Sequence, residues 1–189
     1  MRRAVIMASA AAGLGLLASG LWWATDDIDR VHALIETDHA TVAHLSPDAF
    51  AKMDQASTLV FDVREAEEFA VSHLGGAIRI DPAMAPDDFE AAFGDRLEGR
   101  DAVFYCSVGR RSSIAAERYA DIFAARGATA YNLERGIFGW VNEGRPLTSS
   151  QGATSLVHPY DAVWGRLVEN EDSRSYTPLS ERATPASPR

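Results

Sequence analysis

Cys106 is the chain's only cysteine, and it stands in the stretch AVFYCSVGRRSS that begins at Ala102. Four apolar or aromatic residues run into it as a buried strand would. Gly109, Arg110 and Arg111 follow, and a helical pattern opens at Ser112 and Ser113. The carboxyl end of a strand in an α/β sheet is where ligands bind. Free backbone N–H groups at the next helix N-terminus, together with the helix dipole, favour an anion there. Gly109 permits the positive φ that lets successive amides turn inward. The same field, with two arginines beside it, favours a thiolate over a thiol. The chemistry to expect is that of an activated sulfur nucleophile, Cys106, in an anion cradle made by Ser107, Val108, Gly109, Arg110, Arg111 and Ser112. An inert cysteine closing a strand would have no need of Gly109, Arg110 and Arg111.

Other polar residues invite a role and are better read as structure. Asp62 and Arg64 end a strand beside the expected site. Structural ion-pair networks mimic functional ones, and the resemblance that the motifs of this chain carry implies that these two form a structural ion pair, with Glu68 a partner for Arg64. His73 is expected to hold the turn before Gly75 and Gly76 by hydrogen bonds. His32, His39 and His44 lie close in sequence, but their spacing matches no metal motif and no cysteine accompanies them. Neither a metal nor a cofactor is expected.

These residues need a scaffold, and the pattern of the chain supplies one. Strand-like STLVFDVR, GGAIRI, DAVFYC and ATAYNL alternate with helix-like SPDAFAKM, EAEEFAVSH, APDDFEAAFGDRL, SSIAAERYADIFAARG and GIFGWVNEG. TVAHLS adds a short strand before them. Ser46 and Pro47 mark one helix start, and Gly127 a helix end. In the longest helix Ile114, Ala115, Tyr119, Ile122 and Phe123 form the apolar stripe. Alternation of this kind over about a hundred residues argues for an α/β domain on a parallel sheet. The chain has 189 residues, 47% of them hydrophobic, which is enough for one core. A lone cysteine forms no internal disulfide. The net charge of −9 and the lack of a basic cluster exclude a nucleic-acid partner.

The ends differ from the middle. Residues 1–24 begin with Arg2 and Arg3, followed by an uncharged run from Ala4 to Ala24. Two readings stand side by side. One is a cleaved secretory signal peptide with Ala18-Ser19-Gly20 as its cleavage region. The other is an uncleaved N-terminal membrane anchor, a tether through residues 4–24, with Trp22 and Trp23 at the interface. Both put the rest of the chain outside the cytoplasm, in the periplasm of a bacterial cell. Residues 25–40 read as an acidic linker with one or two helical turns, 41–148 as the globular domain, and 149–189 as a C-terminal extension. Within that extension LVHPYDAVWGRLV has the apolar bulk to pack back, with HPYDAVWG and Trp164 over either the domain edge or the mouth of the site. The end from Glu169 is expected to be disordered.

The motifs together resemble a known family. CSVGRRS is similar to the active-site loop of single-domain rhodaneses, Cys-x-x-Gly-x-Arg-Ser. DVREAEEFAVSHLGGAIRI resembles the family's upstream signature, and GIFGWVNEGRPL its closing Gly-Gly-x-x-x-Trp and Gly-x-Pro. Ser72 and Ile137 stand where the family more often has glycine. The resemblance implies a three-layer domain with a central parallel sheet flanked by helices, and a thiosulfate sulfurtransferase activity. Cys106 would take sulfane sulfur from thiosulfate or a related small sulfur anion, hold it as a persulfide, and pass it to a thiophilic acceptor such as a protein thiol. In that scheme Arg111 caps the loop and Arg110 points outward. A second reading keeps the fold and makes the chain a partner-dependent sulfur carrier or redox-binding module. The small, uncharged Ser107 and Val108 leave room for the bulky donor it would need. Phosphatases of the same fold place five residues between cysteine and arginine; only four separate Cys106 from Arg111.

Overall fold

The computed structural model describes residues 27–181. Helix α1 (Ile28–Asp38) precedes strand β1 (Ala43–Leu45), the single-turn α2 (Pro47–Phe50), β2 (Thr58–Asp62), α3 (Ala66–Val71) and β3 (Ile78–Arg79). Then come α4 (Pro86–Phe93), β4 (Asp101–Tyr105), the long α5 (Arg110–Ala124), β5 (Ala130–Leu133) and α6 (Gly136–Asn142). A small hairpin, β6 (Leu147–Ser149) with β7 (Gly152–Thr154), opens the C-terminal segment.

The first five strands form one sheet in the order β1-β5-β4-β2-β3, every pair parallel. Alternate residues of each strand face opposite sides, and both sides are covered. Leu59, Phe61, Ala102 and Phe104 pack with Phe89 of α4 and Ala115, Tyr119 and Phe123 of α5. Val60, Val103, Tyr105 and Leu133 pack with Val31 and Ile35 of α1, Phe50 of α2, and Ile137 and Phe138 of α6. The result is the α/β three-layer architecture anticipated from the alternation of strands and helices. After β2 the chain moves to one edge of the sheet, and after β4 it moves towards the other. The loops at the carboxyl ends of these neighbouring strands therefore part, leaving a crevice where α/β sheets bind ligands. Asp62 and Tyr105, the last residues of β2 and β4, are in register.

Four features depart from the sequence reading. The acidic stretch taken as a spacer is an 11-residue helix capped by Asp27, whose side chain accepts from the Asp29 and Arg30 amides. Val31 and Ile35, four apart on one face, are buried in the core. Helix α5 begins at Arg110 rather than Ser112, because Gly109 at φ 106° is its N-cap. Ile114 lies off the buried stripe and is 41% exposed, while Ser112 and Ser113 are buried in its place. The chain past Glu169 continues in order through short helical turns to Glu181, since Val157 and Arg174 bridge and Ser175 donates back to Val157. Among the described residues no helix is long and apolar enough to cross a membrane. The leader or anchor expected over residues 1–24 lies outside the described residues.

The C-terminal segment packs into the core rather than lying over it. Val157, Leu167 and Val168 are fully or almost fully buried in the cluster of α1 and α6. Asn142 clasps the segment from both sides, donating to the Leu167 carbonyl at 2.8 Å and accepting from the Glu169 amide at 3.0 Å. Leu167→Ala is therefore expected to cost about 2–5 kcal/mol in urea denaturation, as for a buried core leucine. A loss below about 0.5 kcal/mol, the range of surface substitutions, would show that the segment does not share the core.

Candidate active site

Cys106 follows directly on β4, is 1% exposed, and lies under the turn that leads into α5. Three sets of bonds shape that turn. The Gly109 amide donates to the Cys106 sulfur at 3.2 Å. The carbonyls of Cys106 and Ser107 point the other way, accepting from the Ile137 and Phe138 amides of α6 at 2.8 and 3.0 Å. Behind the turn, the Ser112 hydroxyl donates to Asn132 Oδ1 at 2.7 Å, and the Ser113 hydroxyl to the Gly109 carbonyl at 2.8 Å. Ser112, expected in the anion cradle, is thus turned to β5. With α5 starting at Arg110, its third residue falls on the buried face.

Two glycines allow this packing. A Cβ on Gly109 would stand 3.3 Å from Asn132 Nδ2, and its φ of 106° is outside what L side chains adopt readily. A Cβ on Gly136 would meet the Cys106 carbonyl oxygen at 2.4 Å and that of Ser107 at 2.7 Å. Helix α6 can reach the turn only because nothing projects there.

Glu68 of α3, 1% exposed, is the hub of the polar network. Its Oε1 accepts from the Ser107 hydroxyl at 2.8 Å and Arg111 Nη2 at 2.9 Å. Oε2 accepts from Arg111 Nη1 at 2.8 Å and the Glu65 amide at 3.1 Å. Both oxygens are saturated, as a buried carboxylate requires. Burial by itself raises the pKa of Glu68, but the hydrogen bonds and charge of Arg111 outweigh it and hold the carboxyl below its ordinary range. Burial likewise disfavours the charged form of Arg111, and Glu68 and the nearby Cys106 sulfur reverse that effect. The sequence pairs Glu68 with Arg64; in the structure the loop arginine Arg111 takes it instead. The signal was present in Glu65-x-x-Glu68, which forms a capping box that fixes the second acid at the start of α3.

Arg64 pairs with Asp62 as expected, through Nε to Oδ1 at 2.9 Å and Nη2 to Oδ2 at 2.6 Å, with both side chains fully buried. It also donates to the Ser72 carbonyl at 2.7 Å. His73 stacks on Phe69 with centroids 4.0 Å apart, and its backbone exchanges two hydrogen bonds with Thr148. None of Asp62, Arg64 and His73 lines the cavity above Cys106. His32 lies 3.6 Å from Glu36 and 3.8 Å from Glu134, a cluster with no part in that cavity either.

The cavity measures about 150 Å³ and is lined by Cys106, Ser107, Val108, Arg110 and Arg111 from the turn, with Tyr160 and Trp164 from the C-terminal segment. The HPYDAVWG stretch therefore lies at the mouth of the site. Tyr160 stacks over the Arg111 guanidinium at 5.2 Å. Arg110 is exposed at the rim and makes no ion pair among the described residues. A sulfur nucleophile at the base, an inward amide and a free cation at the rim together can receive a small anion for attack by sulfur.

The Glu68 network carries a prediction. Glu68→Gln removes the negative charge that faces Arg111, and breaking a buried pair typically costs about 3–5 kcal/mol. Because the folded-state pKa of Glu68 is depressed, its contribution is complete above the ordinary carboxyl value of 4.5 and disappears as pH falls through the lower, folded value. Urea denaturation of wild type and variant should show a gap that is constant above pH 5 and narrows below pH 4.5. A gap independent of pH down to 3 would mean that the carboxylate charge is not what Arg111 needs.

Residues 46–143, more than half of the chain, match the family model described as "Rhodanese-like domain". No curated protein matches the chain. Among solved structures, a thiosulfate sulfurtransferase from Pseudomonas aeruginosa aligns at 17% identity and TM-score 0.51, over 68% of this chain and 24% of that one. The BH2092 protein from Bacillus halodurans aligns at 20% identity and TM-score 0.48, over 64% and 86%. A protein of unknown function from Rhodopseudomonas palustris, described as a possible tyrosine phosphatase, aligns at 19% and 0.47, over 64% and 92%. At such identities the likeness is one of fold. The match of the family model to residues 46–143, on the five-stranded parallel sheet that carries the Cys106 turn, establishes that the chain belongs to the rhodanese-like domain family.

Proposed function

We propose that the chain is a sulfurtransferase that carries sulfane sulfur on Cys106. The observation that supports this most directly is the contact of the Gly109 amide with the Cys106 sulfur, at the base of a cavity with a cation on its rim. In the proposed reaction the Cys106 thiolate attacks the outer sulfur of a donor such as thiosulfate. The new S–S bond forms as the donor's S–S bond breaks, and its electron pair leaves with sulfite. Cys106 then holds a persulfide, which an acceptor nucleophile attacks at its outer sulfur, returning the Cys106 thiolate. This is double-displacement covalent catalysis. Arg110 meets the incoming anion, Gly109 supports the sulfur, and Arg111 holds the turn through Glu68 and Ser107. A second reading, a carrier loaded only by a protein partner, draws support from Tyr160, an aromatic wall of the cavity that is 47% exposed.

Intact-protein mass spectrometry after thiosulfate treatment tests the reading. The reduced chain is expected to gain one sulfur atom, to lose it on addition of cyanide, and to gain none as Cys106→Ser. Loading without steady turnover to a small acceptor would favour the partner-fed carrier. No loading by a folded, reduced protein would reject thiosulfate as donor.

We further propose that residues 1–24 export or tether the chain, so that the folded part works outside the cytoplasm, with 41–148 as the sulfur-transfer domain and 149–189 its extension. In bacterial cells expressing the full chain, protease admitted to the periplasm is expected to digest it while cytoplasmic markers survive. Protection equal to that of a cytoplasmic marker would reject export.

A further inference from the structure

The family match ends at residue 143, yet two of the walls over Cys106 come from beyond it. Tyr160 and Trp164 belong to a turn that is firmly built. Tyr160 adopts φ 66°, a conformation side-chain-bearing residues seldom take. Its amide donates to His158 Nδ1 at 3.1 Å, and His158 is buried and stacked edge-on to Tyr176. Asp161 Oδ1 accepts from the Val163 and Trp164 amides, each at 2.8 Å. Gly165 presses on Pro159 so closely that a Cβ there would stand 2.8 Å from the proline Cβ. Strained backbone held from several sides is characteristic of sites where placement matters.

The walls say what they suit. Two aromatic rings and Val108 face a space of about 150 Å³. That equals roughly five water volumes and is about the size of cavities that hold a benzene ring. Charge is scarce. The Arg111 guanidinium is engaged by Glu68 and covered by the Tyr160 ring. Arg110 is thus the one wall cation without a carboxylate partner among the described residues. A small inorganic dianion would lose hydration against apolar rings with a single cation in return. A monoanion with an apolar body matches both the charge and the surface.

We propose that Tyr160 and Trp164 determine the donor, selecting an organic thiosulfonate, R–SO2–S⁻ with R a ring or short hydrocarbon, over inorganic thiosulfate. The proposal rests on the sulfur-transfer reading of the same site. The step balances: the Cys106 thiolate attacks the terminal sulfur, an S–S bond forms, the S–SO2R bond breaks, and the sulfinate RSO2⁻ departs with the electron pair and one negative charge. The persulfide keeps the other. Arg110 can attend the departing sulfinate oxygens while R stays against the rings.

The test separates binding from transfer. Calorimetric affinities of the full chain for the two leaving groups, benzenesulfinate and sulfite, are measured beside sulfur loading from benzenethiosulfonate and thiosulfate. Benzenesulfinate is expected to bind roughly tenfold tighter or more, the scale of two aromatic contacts. Loading from benzenethiosulfonate should be faster in parallel. Tyr160→Leu and Trp164→Leu should shrink the gap severalfold with sulfite affinity little changed, and Tyr160→Phe should retain it. Equal or tighter binding of sulfite by the wild type overturns the proposal whatever the variants do. So does a gap that survives in both leucine variants with unchanged circular dichroism. A benzenesulfinate preference lost in the variants, with no sulfur loaded from either donor, would uphold the walls' choice of ligand and reject sulfur transfer.

Discussion

The direction of two peptide groups decides whether Cys106 can be anything more than a buried thiol. The carbonyls of Cys106 and Ser107 both accept from the opening amides of α6. With the oxygens drawn to that side, they are kept away from the sulfur, and the Gly109 amide reaches it at 3.2 Å. Were α6 to withdraw, the carbonyls would lose their donors in a buried place, at about 1–3 kcal/mol for each unsatisfied group. The α6 contact in turn depends on Gly136, since a side chain there would collide with both oxygens. A glycine thirty residues from the cysteine thus controls the polarity of the cysteine's own loop. Sheet order explains how the two meet. β4 and β5 are neighbours, so the segments leaving their carboxyl ends emerge side by side.

A second requirement is charge balance in a place with little water. Glu68 and Arg111 bring opposite charges against the turn, and the Ser107 hydroxyl joins both, donating to Glu68 and accepting from Arg111 Nη2 at 3.0 Å. Asp62 and Arg64 repeat the arrangement one layer deeper. Buried pairs of this sort add little net stability over an apolar core of equal volume, and their value lies in specifying one arrangement. Here each pair joins segments that sequence leaves independent. Glu68 ties α3 to the turn after β4, and Arg64 ties the end of β2 to the Ser72 carbonyl before β3. Arg64 Nη1 and the Ser72 hydroxyl have no hydrogen-bond partner among the described residues, so this deeper pair is less completely satisfied than the one that borders the cavity.

The fold was legible because its signals are local and agree with one another. Glycine and proline punctuation, the alternation of strand and helix, and Ser46 as a cap all recur at the anticipated places. The cysteine turn was legible for the same reason, being a continuous run of residues. What escaped was long-range or compositional. Nothing near Arg111 indicates that its carboxylate lies 43 residues upstream, and the closer Arg64 was the natural assignment. The acidic surface of α1 masked Val31 and Ile35, because a helix needs only two apolar residues a turn apart to dock when its other faces meet water. The charged, proline-containing end past Glu169 has the composition of a disordered tail. Up to Glu181 it is nonetheless held by contacts such as Val157 with Arg174 that no local pattern encodes.

The engagement of Arg111 also bears on what kind of anion the site can serve. A loop that binds phosphate has to wrap a tetrahedral dianion, and an arginine can grip two of its oxygens at once only while its guanidinium fork is free. In this chain both terminal nitrogens of Arg111 are committed, Nη1 to Glu68 and Nη2 to Glu68 and Ser107, and the Tyr160 ring lies over the guanidinium. Freeing the arginine for a phosphate would strip a buried carboxylate of its counter-charge, a cost of several kcal/mol that phosphate contacts would first have to offset. The four-residue spacing leads to the same conclusion from the backbone side, since the Gly109 amide is already drawn onto the sulfur. What the cavity presents to a ligand is therefore a sulfur atom held by the Gly109 amide, one rim cation and two aromatic walls. That is a poor grip for a phosphate, whose oxygens would find a single uncommitted cation to hold them.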